Sequence, residues 1–169
     1  MPPSGVPSEP ARLCTIASLL PAHRTQPPRV RFVGRVAALL PEAALAVLVD
    51  TDPTGQRTGS DSVPPVEAHA VVVDLTMPVL LAGAEPPSLK DRVMVMGEVT
   101  ALSAPPPRLP DLQVLLPAPL QQPLDPLTVV TVERFDPCED LDMEQWRAAV
   151  QAVEAVQTAR RAQEAVERG

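Results

Sequence analysis

Hydrophobic and polar positions alternate along five stretches of the chain. Residues 29–40 read RVRFVGRVAALL, with Val30, Phe32, Gly34 and Val36 interleaved with Arg29, Arg31, Val33 and Arg35. A period of two sends successive side chains to opposite sides of a strand, so this segment predicts a strand with one buried face. A glycine inside such a run predicts a bulge or a sharp bend, which a small sheet needs in order to curl. Residues 44–50 (ALAVLVD) predict a second strand and residues 66–76 (VEAHAVVVDLT) a third. The segment MPVLLAGA that follows has Pro78 near its start, which predicts one helical turn. Residues 91–102 (DRVMVMGEVTAL) repeat the first strand's pattern, and residues 127–135 (LTVVTVERF) predict the fifth strand. VRFVGRV (30–36) and VMVMGEV (93–99) share Val, two apolar positions, Gly and Val at the same offsets. Two strands of one barrel that bend at the same height would need this, without any duplication.

The period changes at the two ends. Leu13, Ile16, Leu19 and Leu20 recur at near-helical spacing before Pro21, which predicts a short turn of helix packed on the sheet. At the C-terminus Asp142 and Gln145 form a capping box, with Leu141 and Trp146 placed as its hydrophobic staple. Trp146, Val150, Val153 and Val156 then run along one stripe, with Ala149 and Ala159 beside them, while Glu144, Arg147, Glu154, Arg160 and Arg161 occupy much of the rest. Three strands, a turn, a strand, a long loop and a strand followed by a helix predict an all-β fold. It is a five-stranded barrel of the oligonucleotide-binding (OB) type with a C-terminal α-helix. A doubly wound sheet would need helices between the strands, and a sandwich would want about seven strands. The expected organisation is an N-terminal extension over 1–18, disordered or a short helix, then a barrel over 19–136 and a helical segment over 137–169.

Composition narrows this further. At 169 residues and 45% hydrophobic, the chain suits one domain with a modest core. Its 23 prolines cluster at the N-terminus and between residues 105 and 126, so 1–11, the linker 21–28, the loop 51–65 and the segment 103–126 (with LQVLL at 112–116) predict loop or tail. The net charge of -7 argues against a strong stand-alone nucleic-acid binder, because phosphate contacts dominate that affinity. No apolar run approaches the roughly 18 residues of a membrane-spanning helix, and the N-terminus lacks the basic start and apolar stretch of a secretory signal. A soluble intracellular protein without membrane contact is expected. Cys14 and Cys138 lie far apart, with neither a disulfide framework nor zinc spacing around them, and read as free thiols.

Candidate chemistry is sparse. His23 and His69 sit in no recognisable motif, and GQRTGS (55–60) lacks the lysine and spacing of a phosphate loop. Glu139, Asp140 and Asp142 precede a helix, where carboxylates favour the positive end of its dipole. No enzyme and no cofactor or metal is expected; binding is. OB barrels hold single strands with aromatic platforms and a basic groove. The aromatics are Phe32, Phe135 and Trp146, and Phe32 falls on the inward register. Arg29, Arg31 and Arg35 on the first strand, with Arg92 on the fourth, are the candidate nucleic-acid contacts; the alternative is a solvated strand face. The helix stripe is the sharper feature. Trp146, Val150, Val153 and Val156 are candidate partner contacts, since the open end of a barrel would bury only part of them and the remainder suits a partner helix.

At this point the chain resembles the small, Ten-one subunit of the telomere-capping CST complex in its fungal form. The residues that carry the resemblance are Leu20-Pro21, then Val30-Arg31-Phe32-Val33-Gly34-Arg35-Val36, VVVDLTMPVLLAG (71–83), DRVMVMGEV (91–99) and VERFDPCEDLDMEQWRAAV (132–150), in the family's order across most of residues 19–156. Leu39 or Leu40 stands where the family often has an aromatic, and the 51–65 and 103–126 segments are enlarged. The resemblance implies a nuclear protein of the chromosome's telomeric region. It would pair with an Stn-type OB-fold subunit, with the CST large subunit as a further partner, and meet single-stranded telomeric DNA through the complex. Trp146, Val150 and Val153 would be its anchors. The smallest subunit of replication protein A, also a barrel with a C-terminal helix, is the alternative, and a free-standing single-strand binder is another.

Overall fold

A computed structural model describes residues 10–19, 29–50, 68–106, 120 and 123–167. The Leu20-Pro21 pair, His23, the loop 51–65 with GQRTGS, and LQVLL lie outside the described residues. Strand β1 is Arg12–Leu13, helix α1 Ile16–Leu19, β2 Arg29–Leu40, β3 Leu45–Val49, β4 Ala70–Asp74, β5 Arg92–Ala101, β6 Thr128–Pro137, and helix α2 Met143–Glu167. The β2, β3 and β4 strands pair antiparallel in sequence order. Then β4 pairs parallel with β6, β6 antiparallel with β5, and β5 antiparallel with β2, which closes the ring. Five strands joined first–second–third–fifth–fourth–first, with one parallel contact, are the OB barrel. The predicted turn is present as one wide turn over Thr76–Leu81, anchored where the Thr76 N–H donates to the Asp74 carboxylate.

Closure is possible because alternate side chains fill the interior. Val30, Phe32, Val36, Ala46, Leu48, Val71, Val73, Val93, Val95, Val130 and Val132 form one buried cluster, with Phe32 fully buried. The two ends of β2 do not keep one phase. Val36 pairs with Leu48 but Ala38 with Val47, so Ala37 is an extra residue and Leu39 rather than Ala38 turns towards the core. A second bulge lies in β6, where Glu133 is extra opposite Met96 and Gly97, and turns Phe135 to the core. Bulges of this kind bend and twist a strand, as barrel closure demands.

The two glycines do not mark one height. Val30 pairs with Gly97 and Gly34 with Val93, so the matched motifs run antiparallel and their glycines sit at opposite ends of the shared ladder. Each answers a different close approach. A Cβ on Gly97 would lie 2.2 Å from the Thr131 carbonyl oxygen at the β6 bulge, whereas one on Gly34 would meet Ile16 and Leu48 side chains at 3.0 Å. The bulge of β2 falls at Ala37, three residues beyond the glycine that predicts it.

The N-terminal segment belongs to the core. β1 runs parallel to β2, and Cys14, Ile16 and Leu19 are buried in the main cluster. The wide turn's Val79 packs against the same cluster.

Candidate partner interface

Helix α2 begins at the Asp142 cap, the carboxylate half of the predicted capping box. The Asp142 carboxylate accepts from the backbone N–H groups of Glu144 (2.9 Å) and Gln145 (3.1 Å), while the Asp142 carbonyl accepts from Trp146 N–H. Its first three turns lie on the barrel. Met143 and Val150 are buried, Val150 completely. Met143, Trp146 and Arg147 meet Thr15, Ile16, Val33 and Asp50 around one small cavity. The Trp146 indole N–H is buried there with no hydrogen-bond partner among the described residues.

Two polar ties hold the helix. Arg147 donates to the Asp50 carbonyl at the end of β3. Glu154 accepts from Arg12 (3.2 Å) and from the Ser18 hydroxyl (2.8 Å), so the N-terminal segment clips the helix at the start of its fourth turn. Asp50 in turn is bound twice by His69, through the His69 N–H at 2.8 Å and through Nδ1 at 3.0 Å. His69 therefore braces the two ends of the β3–β4 connection and, through Asp50, the foot of the helix. Nothing in the sequence signalled this tie, because its partners are far apart along the chain.

Beyond Glu154 the helix leaves the barrel. Val153 is 38% exposed and Val156 68%, and every described residue from 155 to 167 is exposed. The four candidate contacts thus divide. Val150 is used inside the fold, Trp146 is half-buried at the cavity, and Val153 and Val156 alone face solvent.

The arginine stripe divides too. Arg29 is held by Glu133, with Nη2 to Oε2 at 2.7 Å, and that hydrogen bond raises the guanidinium's pKa. Arg31 is exposed and lies on the Met94 sulfur at 2.8 Å, a weak acceptor. Arg35 donates to the Lys90 carbonyl at 3.1 Å. Arg92 pairs opposite Arg35 on the ladder but is only 8% exposed. Its guanidinium donates to the Glu139 carbonyl at 2.8 Å and to the Leu141 carbonyl, and its N–H donates to the Glu139 carboxylate at 2.7 Å. As a nucleic-acid contact Arg92 is corrected by this geometry: it is a strut that joins β5 to the lead-in of α2, out of reach of a phosphate.

Burial pushes the Cys14 thiol up to about 12, and burial likewise raises Cys138. Both are free. Among the described residues no three His, Cys, Asp or Glu side chains gather as a metal site would require.

No family model matches the chain, and no curated protein sequence matches it. Similar solved structures include a chain of the S. pombe Stn1–Ten1 complex, at 12% identity over 88% of this chain and 95% of that one, with a TM-score of 0.49. The telomere capping protein Ten1 of S. pombe is similar at 12% identity over 86% of this chain and 99% of that one, also at 0.49. The asparaginyl-tRNA synthetase of Entamoeba histolytica is similar at 10% identity and a TM-score of 0.39, over 79% of this chain but only 25% of the enzyme. All three scores lie below 0.5, and identities of 12% or less carry no residue role across.

Proposed function

We propose that this chain is the small OB-fold subunit of a CST-type telomere-capping complex, which works by pairing with an Stn-type OB-fold subunit. The observation that carries the reading is the solvent-facing valine pair, Val153 and Val156, on a helix fixed to a closed OB barrel. A helix whose buried stripe ends at the third turn while its valines continue outward has an unsatisfied apolar face, and a partner helix would satisfy it. The order of the motifs supports the choice of family. The resembling segments around Val30–Val36, at 71–83, at 91–99 and at 132–150 fall on β2, on β4 with its turn, on β5, and on the β6–α2 junction. Single-stranded telomeric DNA and the large subunit would then be met through the assembly, in the nucleus. Of the four candidate arginines, the exposed Arg31 is the one best placed to meet a phosphate.

The test is purification of the tagged protein from its host with nuclease added, followed by identification of co-purifying chains. An Stn-type OB protein in near-equal amount is expected. Recovery of the large replication protein A subunits instead would overturn the reading in favour of that complex. With the pair reconstituted, Val156→Glu should weaken it roughly tenfold or more, since burying a valine is worth about 1.5 kcal/mol.

A further inference from the structure

In an OB barrel the outward face of the second and third strands, flanked by the first and fourth barrel loops, is where oligonucleotides usually lie. Here those strands are β3 and β4. Their inward residues are Ala46, Leu48, Val71 and Val73, so Leu45, Val47, Val49, Ala70 and Val72 point outward. None of the five is more than 8% exposed. The Ala37 bulge adds Ala38 and Leu40 to this outer set by shifting the phase of β2, and Val129 of β6 joins it.

Three described leucines from between β5 and β6 cover the face. Leu120 and Leu124 pack on Ala38, Val47, Val49 and Ala70, while Leu102 and Leu124 pack on Leu40, Leu45, Val72 and Val129. Leu120 also makes a parallel bridge with Ala68 beside β4. The return into β6 is fixed by Asp125, whose carboxylate accepts from the Leu127 N–H at 3.0 Å and from the Thr128 hydroxyl, and the Leu102 N–H donates to the Leu127 carbonyl at 2.7 Å.

We infer that the outer β3–β4 face is an apolar docking groove occupied in cis by two of the chain's own leucines, Leu120 and Leu124, and that nucleic acid is not bound across it. The chemistry of the face agrees with these occupants. Its described outward strand residues, Leu45, Val47, Val49, Ala70 and Val72, are all aliphatic, whereas single-strand binding draws on basic and aromatic side chains. Its near-complete burial leaves no apolar area for a second ligand while these leucines are seated. The inference does not depend on the telomeric reading; if both hold, DNA meets the assembly by another face or another subunit.

The test is the full-length Leu120→Asp/Leu124→Asp variant beside the wild-type chain. Three measurements apply: circular dichroism, fluorescence of an apolar-surface dye, and anisotropy of a labelled 20-nucleotide single strand. The expected result is an unchanged β spectrum, a several-fold rise in dye fluorescence, and oligonucleotide affinity no better than wild type. Unchanged dye fluorescence would overturn the cis-docking inference. A tenfold or larger gain in oligonucleotide affinity would overturn it too, since the two leucines would then be masking a nucleic-acid face. Should the double variant lose its β spectrum, Leu124→Ala is read by the same measurements and the same criteria. A tagged-protein purification that fails to recover an Stn-type partner leaves this result untouched, which keeps the two tests separate.

Discussion

Replacing Arg92 by methionine is the sharpest way to ask whether this arginine reads nucleic acid or holds the fold. In the structure the guanidinium is buried and charges two hydrogen bonds, to the carbonyls of Glu139 and Leu141, that fasten the segment between β6 and α2 onto β5. A hydrogen bond from a charged donor contributes about 1.5–3 kcal/mol, so losing two removes roughly 3–6 kcal/mol. Methionine keeps most of the aliphatic stem and avoids the cost of desolvating a cation, which returns part of this. A net loss of about 3 kcal/mol is expected. Equilibrium unfolding in urea measures it: with a slope of roughly 1.5 kcal/mol/M for a chain of this size, the midpoint should fall by about 2 M. The control is Arg31→Met on the same sheet, where the side chain is exposed and rests on a thioether. That midpoint should stay within about 0.3 M, as for ordinary surface substitutions. A loss under about 1 kcal/mol for Arg92→Met would refute the strut, and weakened oligonucleotide binding at unchanged stability would return Arg92 to the basic stripe.

Gly97→Ala should cost about 3 kcal/mol or more in thermal or urea unfolding, because its Cβ would meet the Thr131 carbonyl at 2.2 Å and backbone must move. Gly83→Ala, with a φ of +70° but open space around it, should cost only about 1 kcal/mol. Val150→Ala should cost about 2 kcal/mol from two buried methyl groups, and Val156→Ala almost nothing in the isolated chain; equal costs would mean the helix docks differently. Cys14 should resist a thiol reagent at pH 8 until the protein unfolds. Its folded pKa of about 12 exceeds the unfolded value of 9.0, so the folded state binds the proton more tightly. The stability it contributes is then complete below pH 9 and lost as pH rises towards 12, a loss that Cys14→Ala should abolish.

The extents of β2 and of the first turn of α2 were legible in the sequence because their causes are local. Alternation over residues 29–36, continued by the apolar run to Leu40, marks β2 at Arg29–Leu40, and Asp142 caps the N–H groups that follow it. Phe32 as core follows from the same alternation. The covered outer face had a signal that alternation does not convey: LAVLV in β3 and AVVV in β4 are unbroken apolar runs, as strands buried on both sides require.

Other features had no local cause. The parallel β4–β6 contact and the β5–β2 closure join residues tens of positions apart, and the phase shift at Ala37 follows from how β2 must bend to reach both β3 and β5. The arginines show the limit most plainly. Arg31 and Arg92 read alike as strand residues, yet one is exposed on Met94 and the other lies beneath the approach to α2. Periodicity assigns a side chain to a face of its own strand; only the packing of distant segments decides whether that face meets water, a covering leucine or the foot of a helix.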